Sequence, residues 1–395
     1  MKLLKINLLP HFIFLLIFIQ VSCKNEINQR TAENISEKEL IALDFVEPGI
    51  KWGYIDVSGE LVIPDKFDDC RDFSEQFAAA MKGGLWGYID TSGQWIVPPL
   101  YRGSWSMHNG RGRIKVLDGN YGFVDVRGKM IIDTIWDEAE DFSEGFAKVK
   151  KNNRYQYIGL DGKLITEDNF EDGRAFQSGF ARISNGGWWG LLNKKGELII
   201  KPNYDALGEY HHNRIPFQSK NKWGYLDTTG NVTIESKYDF AYPFQSNSTL
   251  VSSDNKWLWI DTTGAVIREC TCDAVSPLNE DRWLVVKNDS FGLADDHGNL
   301  LTDFKYTQIN KFNNGLAVYS RENAWGYMDR SGKSIIKNIF LLAWDFKNHI
   351  ARYSLGEGIG YLNQDGKALF ENTFPDARDF NDGRAKVQMT TRASK

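Results

Sequence analysis

The sequence predicts an all-β repeat protein, and three observations support that prediction. A bulky apolar residue opens each of ten near-copies of one motif, and successive openers lie 34 residues apart with a single interval of 35. Glycines number 36 against 10 prolines, and aromatic residues make up 13% of the chain. Self-similarity at a fixed period indicates a repeat architecture, and this composition suits short strands joined by tight turns. The openers are Trp52, Trp86, Tyr121, Tyr155, Trp189, Trp223, Trp257, Phe291, Trp325 and Ile359.

The N-terminus predicts a secretory signal of the lipoprotein type. Lys2 and Lys5 precede an apolar run, 12–19, that is too short to span a bilayer, and Cys23 follows at the expected cleavage point. The arrangement resembles bacterial lipoprotein signals, in which the Cys is acylated and becomes residue one, although Gln20 stands where such signals usually carry Leu. We therefore expect residues 1–22 to be removed and Cys23 to carry the lipid. A plain secretory signal, giving a soluble secreted or periplasmic protein, is the alternative.

Residues 23–38 are expected to form the lipidated Cys and a flexible tether, because this segment is polar and too poor in apolar groups to offset chain entropy. Lys24-Asn25-Glu26 resembles the short charged tags that direct some bacterial lipoproteins to the cell surface. The expected location is the cell envelope, at the outer membrane, which the protein contacts through its lipid anchor only. The formal net charge of −5 disfavours nucleic acid as a partner.

Residues 39–395 form the predicted repeat domain, and each repeat begins with a strand that is apolar on both faces. The opener is followed by Gly in eight of ten copies, then by two apolar residues, as in Trp223-Gly224-Tyr225-Leu226. A missing side chain in a strand marks a close backbone approach or a bulge. Because such a strand must be covered on both faces, we expect each repeat to stack on its neighbours.

A tight hairpin turn follows the first strand in every repeat. Asp occurs four residues after the opener in seven copies, and Gly occurs three residues later in all ten. An Asp side chain bonds nearby backbone amides and Gly supplies a positive φ. We assign these carboxylates to turn capping, because their spacing matches no calcium loop. The turn glycines are Gly59, Gly93, Gly128, Gly162, Gly196, Gly230, Gly264, Gly298, Gly332 and Gly366.

Two further strands complete a predicted three-stranded antiparallel meander. The second is apolar, as in Leu198-Ile199-Ile200, and ends near an aromatic residue. The third alternates with period two, as in Phe146-Ala147-Lys148-Val149. The 35-residue interval is expected to hold a bulge or a loop insertion between Met107 and Tyr121.

Taken together, these features resemble the bacterial WG-repeat family over residues 43–389. The shared pattern is Trp-Gly followed by Tyr-Ile-Asp, two variable residues, Gly, a Val-Ile strand, Tyr-Asp and a Phe-x-x-Gly-x-Ala segment. The repeats that open at Tyr155, Trp257, Phe291 and Ile359 are degenerate. The resemblance implies an all-β repeat scaffold whose partners are poorly defined.

The hairpins favour propeller-like blades over a parallel β-helix. Ten blades exceed the usual range of about four to eight in closed propellers. A segment like a third strand precedes the first opener at 43–46, and another follows the last hairpin at 386–389. A ring needs only one of them to complete its final blade. We therefore expect an open arc or superhelix, with a closed β-propeller or toroid as the alternative.

No catalytic or metal-binding constellation is visible, and no cofactor is predicted. The one histidine cluster, His211-His212, would point to opposite faces of a strand. We find no nucleophile elbow and no phosphate loop. Cys70 has no evident partner, and Cys272 stands where the other nine repeats carry an aromatic residue. A disulfide between Cys270 and Cys272 is not favoured, because residues two apart in a strand give poor bridge geometry, although an oxidising compartment would permit one.

One repeat position, 19 residues after the opener, is mostly polar and is therefore expected to be exposed. It holds an aromatic residue in three repeats and arginine in three others, a combination that protein or glycan contact surfaces use. The alternative is that the aromatic side chains fold back over loop edges. The candidate binding residues are Trp105, Tyr242, Trp344, Arg71, Arg174 and Arg378.

These observations favour an envelope-anchored, non-catalytic scaffold that binds a protein, a peptide or a glycan. A carbohydrate-active enzyme is the first alternative, but Glu140 is the only acidic residue at the exposed position. A passive structural spacer is the second alternative.

Overall fold

The computed structural model describes residues 50–389, which contain strands, turns and bends and no helix. Thirty-six strands form ten separate antiparallel sheets, which we call blades. The all-β prediction is confirmed. Within the described range, no helix is long and apolar enough to cross a membrane.

The strands, in chain order, have the following bounds: β1 Trp52–Ile55, β2 Leu61–Phe67, β3 Asp69–Cys70, β4 Phe77–Lys82, β5 Leu85–Asp90, β6 Trp95–Tyr101, β7 Gly103–His108, β8 Arg111–Lys115, β9 Tyr121–Asp125, β10 Met130–Trp136, β11 Glu138–Ala139, β12 Phe146–Lys151, β13 Arg154–Gly159, β14 Asp172–Gly173, β15 Phe180–Asn185, β16 Trp188–Asn193, β17 Leu198–Tyr204, β18 Ala206–Leu207, β19 Ile215–Ser219, β20 Lys222–Leu226, β21 Val232–Tyr238, β22 Phe240–Ala241, β23 Ser248–Ser253, β24 Lys256–Asp261, β25 Val266–Cys270, β26 Ala274–Pro277, β27 Arg282–Lys287, β28 Ser290–Asp295, β29 Gln308–Ile309, β30 Leu316–Arg321, β31 Ala324–Asp329, β32 Ser334–Phe340, β33 Leu342–Ala343, β34 Ile350–Ser354, β35 Gly360–Asn363 and β36 Ala385–Gln388.

Each blade combines strands from two consecutive repeats. The opener strand β5, for example, pairs with β6 of its own repeat and with β4 of the preceding repeat. The antiparallel meander is present, but its boundaries differ from the predicted unit, because the third strand of each repeat joins the next blade. We number the blades 1 to 10 by the openers that they contain, so blade 2 consists of β3, β4, β5 and β6.

Six blades have four strands and four have three. In the repeats that open at Tyr155, Phe291 and Ile359, the second strand is reduced to isolated bridges, such as Tyr155 with Phe170. These are three of the four repeats with degenerate sequences. The fourth, opening at Trp257, keeps its second strand as β25.

The Gly after the opener permits a bulged strand to approach closely. In blade 6 the pairing of β20 with β21 shifts register between Trp223 and Tyr225. A Cβ on Gly224 would lie 2.5 Å from the carbonyl oxygen of Ile234, so a larger residue cannot fit without moving that strand. At the hairpin turns, all ten predicted glycines have φ between +76° and +89°, the left-handed region.

The apolar core lies between the blades. One cluster joins Tyr225 and Ile234 of blade 6 to Phe244 and Val251 of blade 7, and all four side chains are buried. Ten such clusters occur among the described residues. The opener strands are buried on both faces, as β1 illustrates, because each blade is covered by a neighbour on either side.

The last strand closes the ring. β36 pairs with β1 through Trp52 with Gln388, Gly53 with Val387, Tyr54 with Lys386 and Ile55 with Ala385. The ten blades therefore form a closed propeller, which was the alternative prediction, and the preferred open arc is wrong. Of the two segments that resemble a third strand, the C-terminal one forms this pairing, through residues 385–388. Segment 43–46, the signal and the tether lie outside the described residues.

The 35-residue interval contains the expected loop insertion. Most blades join the third strand to the next opener strand through a two-residue turn, such as Gly83-Gly84. Between β8 and β9 the connection is residues 116–120.

Candidate binding site at the inner edge of the ring

The edge of each blade that faces the ring axis is formed by the residues 17 to 25 places after an opener. We count positions from the opener, which is position 0, and call this edge the inner edge. It contains a two-residue strand, such as β22, and a tight turn. Inner-edge residues from five consecutive blades line one cavity, which requires that these edges face a common axis.

Tyrosine at position 2 fixes the inner edge of the next blade. Tyr225 is fully buried, and its hydroxyl donates to the carbonyl oxygen of Tyr242 in blade 7 at 2.7 Å. Burial raises the pKa of Tyr225, so the hydroxyl keeps its proton. Six repeats form this bond, at 2.6–2.8 Å: Tyr54 to Arg71, Tyr88 to Trp105, Tyr157 to Arg174, Tyr225 to Tyr242, Tyr327 to Trp344 and Tyr361 to Arg378.

A second bond links a side chain of one blade to the position-18 carbonyl of the next. Five of the donors are cations at position 27. Where position 27 is Ala79 or Leu250, the residue at position 19 of the same repeat donates instead. We call these bonds inter-blade clamps, and they occur at seven of the ten interfaces: Lys386 to Cys70, Arg71 to Ser104, Arg113 to Ala139, Lys148 to Gly173, Arg182 to Leu207, Tyr242 to Val275 and Arg352 to Ala377.

The inner-edge turns also contact one another around most of the ring. The carboxylate oxygens of Glu75, at position 23, accept the backbone amides of Asn109 and Gly110 in the next blade at 2.7 Å each. Position 23 bonds to the next blade at seven interfaces. Within the described residues it does not at three consecutive ones, 5/6, 6/7 and 7/8, where position 23 is Ser178, His212 or Ser246.

A cavity of about 460 Å³ lies along the arc where these turn contacts are missing. Of the three interfaces that lack an inter-blade clamp, 6/7 lies within this arc and 8/9 borders it, although 8/9 keeps its turn contact through Glu280. The cavity therefore results from departures in adjacent repeats from the residues that tie the rest of the ring. Its lining includes, from blades 5 to 9, Gln177, Glu209, His211, Pro243, Asn279 and Lys311.

The cavity offers hydrogen-bonding groups whose charges largely offset each other. Glu209 lies 3.5 Å from both Arg182 and the Nε2 atom of His211. Glu280 and Asp281 each lie 3.9 Å from Arg330. These groups suit a polar ligand with both donors and acceptors, such as a peptide backbone or sugar hydroxyls.

The structure places the six candidate residues at one inner-edge position on six blades. Arg174 and Arg378 are exposed, and each pairs with an Asp two residues earlier at 3.1 Å and 2.8 Å respectively. Arg71 and Trp105 are brought together, with the guanidinium carbon 5.7 Å from the ring centroid.

The three aromatic candidates are half-buried against neighbouring side chains. The guanidinium carbon of Arg113 lies 4.1 Å from the ring centroid of Trp105, and that of Arg352 lies 4.7 Å from the ring centroid of Trp344. Tyr242 stacks on Trp257 with the two ring centroids 6.1 Å apart. Of the six candidates, only Tyr242 is adjacent in sequence to a cavity residue, Pro243.

Sequence reasoning missed the cavity residues. His211 and His212 both line it. They were expected on opposite faces of a strand, but His212 lies in a turn with φ of +46°. A signal was available, because position 22 is polar in every repeat: Ser74, His108, Ser143, Gln177, His211, Gln245, Asn279, Asn313, Lys347 and Asn381.

Asp295, Asp296 and His297 bring their ligand atoms within 4.8 Å of one another. Asp295 already accepts the backbone amides of His297 and Asn299 at 2.9 Å and 2.8 Å. The group is therefore accounted for by turn capping, as at the equivalent Asp in other repeats.

Asp72, at position 20 beside the closure of the ring, is expected to reduce stability at neutral pH. Burial and the nearby Asp379 carboxylate raise its pKa, against the opposing effect of Lys347, Lys386 and Arg352. A raised folded-state pKa means that the folded protein holds this proton more tightly than the unfolded chain. The associated stability is present at acid pH and is lost as pH rises through the folded-state pKa.

We therefore expect Asp72→Asn to raise the free energy of unfolding at pH 7 by about 0.5 to 1 kcal/mol, and to have little effect in acid. Urea unfolding at several pH values measures this. Asp141→Asn is the matched control, because Asp141 occupies the same position but binds Arg113 at 2.8 Å. It should lose stability at pH 7. A destabilising Asp72→Asn would contradict the prediction.

The family assignment rests on the repeated unit. A family model described as "WG containing repeat" matches residues 52–86, 86–121, 121–155, 189–223, 223–257, 291–323, 325–357 and 359–390. The chain belongs to the WG-repeat family. The family model does not match two repeats of this WG-repeat protein, those that open at Tyr155 and Trp257. Both repeats were predicted to be degenerate. A search among curated protein sequences returns no match.

Several solved structures are similar in fold to this WG-repeat protein at low identity. A eukaryotic initiation factor is 12% identical, with 80% of this chain and 98% of that chain covered and a TM-score of 0.47. BamB from Moraxella catarrhalis is 10% identical, with coverages of 72% and 95% and a TM-score of 0.34. Hsv2p from Kluyveromyces lactis is 10% identical, with coverages of 55% and 88% and a TM-score of 0.34. Likenesses at this level carry no argument about function.

Proposed function

We propose that this protein is a non-catalytic binding scaffold whose ligand, a segment of a partner protein, occupies the cavity at the inner edge of blades 5 to 9. The observation that carries the proposal is the loss of the position-23 turn contacts at three consecutive interfaces, 5/6, 6/7 and 7/8, in a ring whose other seven interfaces make them. Family membership supports the scaffold role in general terms.

The chemistry of the cavity favours a peptide ligand over a glycan. Gln245 and Asn279 line it with amide groups, which match the donor and acceptor pattern of a peptide backbone. Phe244, the aromatic residue in the lining, is 1% exposed and cannot offer a face for a sugar ring. The arginines of the predicted contact surface, Arg174 and Arg378, are exposed and form a second proposed contact set. We propose that the other four candidates support the inner edge by packing against neighbouring side chains: Trp105, Tyr242, Trp344 and Arg71.

The double variant Gln245→Ala, Asn279→Ala is expected to lower recovery of the bound partner at least tenfold, which corresponds to about 1.4 kcal/mol. The measurement is quantitative mass spectrometry after capture from solubilised cell envelopes. His108→Ala with Lys347→Ala is the control, since both residues occupy position 22 outside the cavity. Equal recovery with both double variants would reject the cavity as the site. If the wild type bound a glycan array and the cavity variant did not, the ligand would be a sugar and not a peptide.

We also propose that the scaffold is anchored to the cell envelope through lipid on Cys23, with residues 24–38 as the tether. The support is the N-terminal sequence: a basic start, a short apolar run and a Cys at the cleavage point. Two or more acyl chains hold a protein on a membrane stably, whereas one is marginal. Metabolic labelling with a fatty-acid analogue should mark the wild type and not Cys23→Ser. Equal labelling of both would return the protein to the secreted soluble class.

A further inference from the structure

Blade 7 contains a disulfide between Cys270 and Cys272, which the sequence did not favour. In blade 6 the opener Trp223 pairs with Tyr238 at position 15, across a bulge. In blade 7 the opener Trp257 pairs with Cys270 at position 13 instead. β25 therefore ends at Cys270, and Cys272 lies beyond the sheet. The two cysteines therefore do not share one strand, as the sequence reasoning had assumed, and their Cα atoms are 5.3 Å apart.

This disulfide gives the fold little support. The stabilisation that a cross-link provides grows with the length of the loop that it closes, and this loop joins residues only two apart. β25 is already held by its pairing with β24. The other nine repeats carry an aromatic residue at the position of Cys272, and here the smaller cysteine packs at the margin of the cluster between blades 7 and 8.

The cysteine pair is reachable from solvent. Both residues are half-buried, and both line a cavity of about 110 Å³ at the outer side of blades 7 and 8, together with Trp259, Leu300 and Phe304. Leu300 at its rim is 54% exposed. Cys70, in contrast, is buried, and burial raises the pKa of its thiol to about 12, so it is not a competing nucleophile.

A cation accompanies the pair. Arg268 lines the same cavity, and its guanidinium binds Asn299 at 2.7 Å. Within the described residues no carboxylate forms an ion pair with it; Glu269 lines the same cavity, but its carboxylate pairs with Lys256 at 3.0 Å. A nearby positive charge stabilises a leaving thiolate, which speeds cleavage of a disulfide.

We propose that Cys270 and Cys272 form an exchangeable disulfide that oxidises thiols of a partner protein. A partner thiolate attacks one Sγ atom and forms a mixed disulfide, while the electron pair of the broken bond leaves on the other Sγ atom. A second partner thiolate then attacks the partner sulfur of the mixed disulfide. The partner gains a disulfide, and its two thiol protons end on Cys270 and Cys272. Because the pair carries little of the fold, the ring stays intact in both states.

The test equilibrates the purified full chain with glutathione buffers of increasing reduced fraction, followed by acid quenching, alkylation and peptide mass analysis. We expect the pair to pass from oxidised to reduced within the range of these buffers, and the thermal midpoints of the two forms to differ by less than about 3 °C. Cys272→Ser is expected to accumulate a mixed disulfide between Cys270 and glutathione. The double variant Cys270→Ser, Cys272→Ser should fold and take up no glutathione.

Two results would overturn the proposal. One is a pair that stays wholly oxidised, or wholly reduced, in every buffer. The other is a fall of the thermal midpoint by about 10 °C or more on reduction, which would make the bond a structural staple. The second result can be checked on the double serine variant, which should then show the same loss without any reductant.

Discussion

Val387→Asp is expected to lower the free energy of unfolding by about 3 to 5 kcal/mol, because it places an unpaired carboxylate in a buried interface. Val387 is fully buried, pairs with Gly53 across the junction of β36 and β1, and packs with Tyr361 and Phe374 of blade 10. The measurement is urea unfolding monitored by tryptophan fluorescence. A loss of this size is a large fraction of the stability of a typical protein.

Two control variants separate the closure of the ring from a general effect of charge. Val57→Asp changes a residue that is 54% exposed and should shift stability by less than about 0.5 kcal/mol. Val285→Asp buries the same charge in blade 8, far from the closure, and should cost as much as Val387→Asp. In an open arc, β36 would be a fraying terminal strand, so Val387→Asp would cost little and the amides of Trp52–Ile55 would exchange rapidly in the wild type.

Local rules predicted the repeating unit well. The opener, the turn Gly and the alternating third strand each act within a few residues, so ten copies give ten independent indications of the same strands. The weaker sequences at Tyr155, Phe291 and Ile359 also correspond to blades whose second strand is reduced to bridges. Physical periodicity and burial were sufficient for this level of structure.

Closure was not predictable in the same way. It depends on which of two similar segments, 43–46 or 385–388, pairs with β1, and the local patterns of the two are alike. The choice is made by contacts between residues more than 300 positions apart. Examples are the bond from Lys386 to Cys70 and the bond between Asp382 and the amide of Gln76.

The bonds along the inner edge were not predicted from the sequence for a different reason. Equivalent bonds are made by residues of different types at different positions, since Arg71 replaces a missing cation at Ala79 and Tyr242 replaces one at Leu250. A comparison of residue types position by position treats these as unrelated exceptions. The cavity is harder still, because it is defined by bonds that three adjacent repeats do not make. The polar residue at position 22 of every repeat was the one sequence signal that pointed to it.

Tyr225→Ala is expected to cost about 3 to 5 kcal/mol, because it removes a fully buried aromatic side chain between blades 6 and 7. The ring of Tyr225 packs edge-on against Phe244 with centroids 4.8 Å apart, and Phe244 lines the cavity. The same variant should therefore loosen the cavity floor. Hydrogen exchange of Phe240–Ala241 and urea unfolding measure the two effects together.

Phenylalanine variants isolate the contribution of the hydroxyl. Tyr225→Phe should cost only about 1 kcal/mol, because the carbonyl of Tyr242 still accepts the hydroxyl of Thr249 at 2.9 Å. Tyr361→Phe should cost more, about 2 kcal/mol, because no other side chain in the described range donates to the carbonyl of Arg378. Tyr155→Phe is the control, as its hydroxyl donates to the exposed Glu138 at 3.3 Å near the surface and to no inner-edge carbonyl among the described residues. If all three phenylalanine variants lost equal stability, the bonds from position 2 to position 19 would not be what holds the inner edge in place.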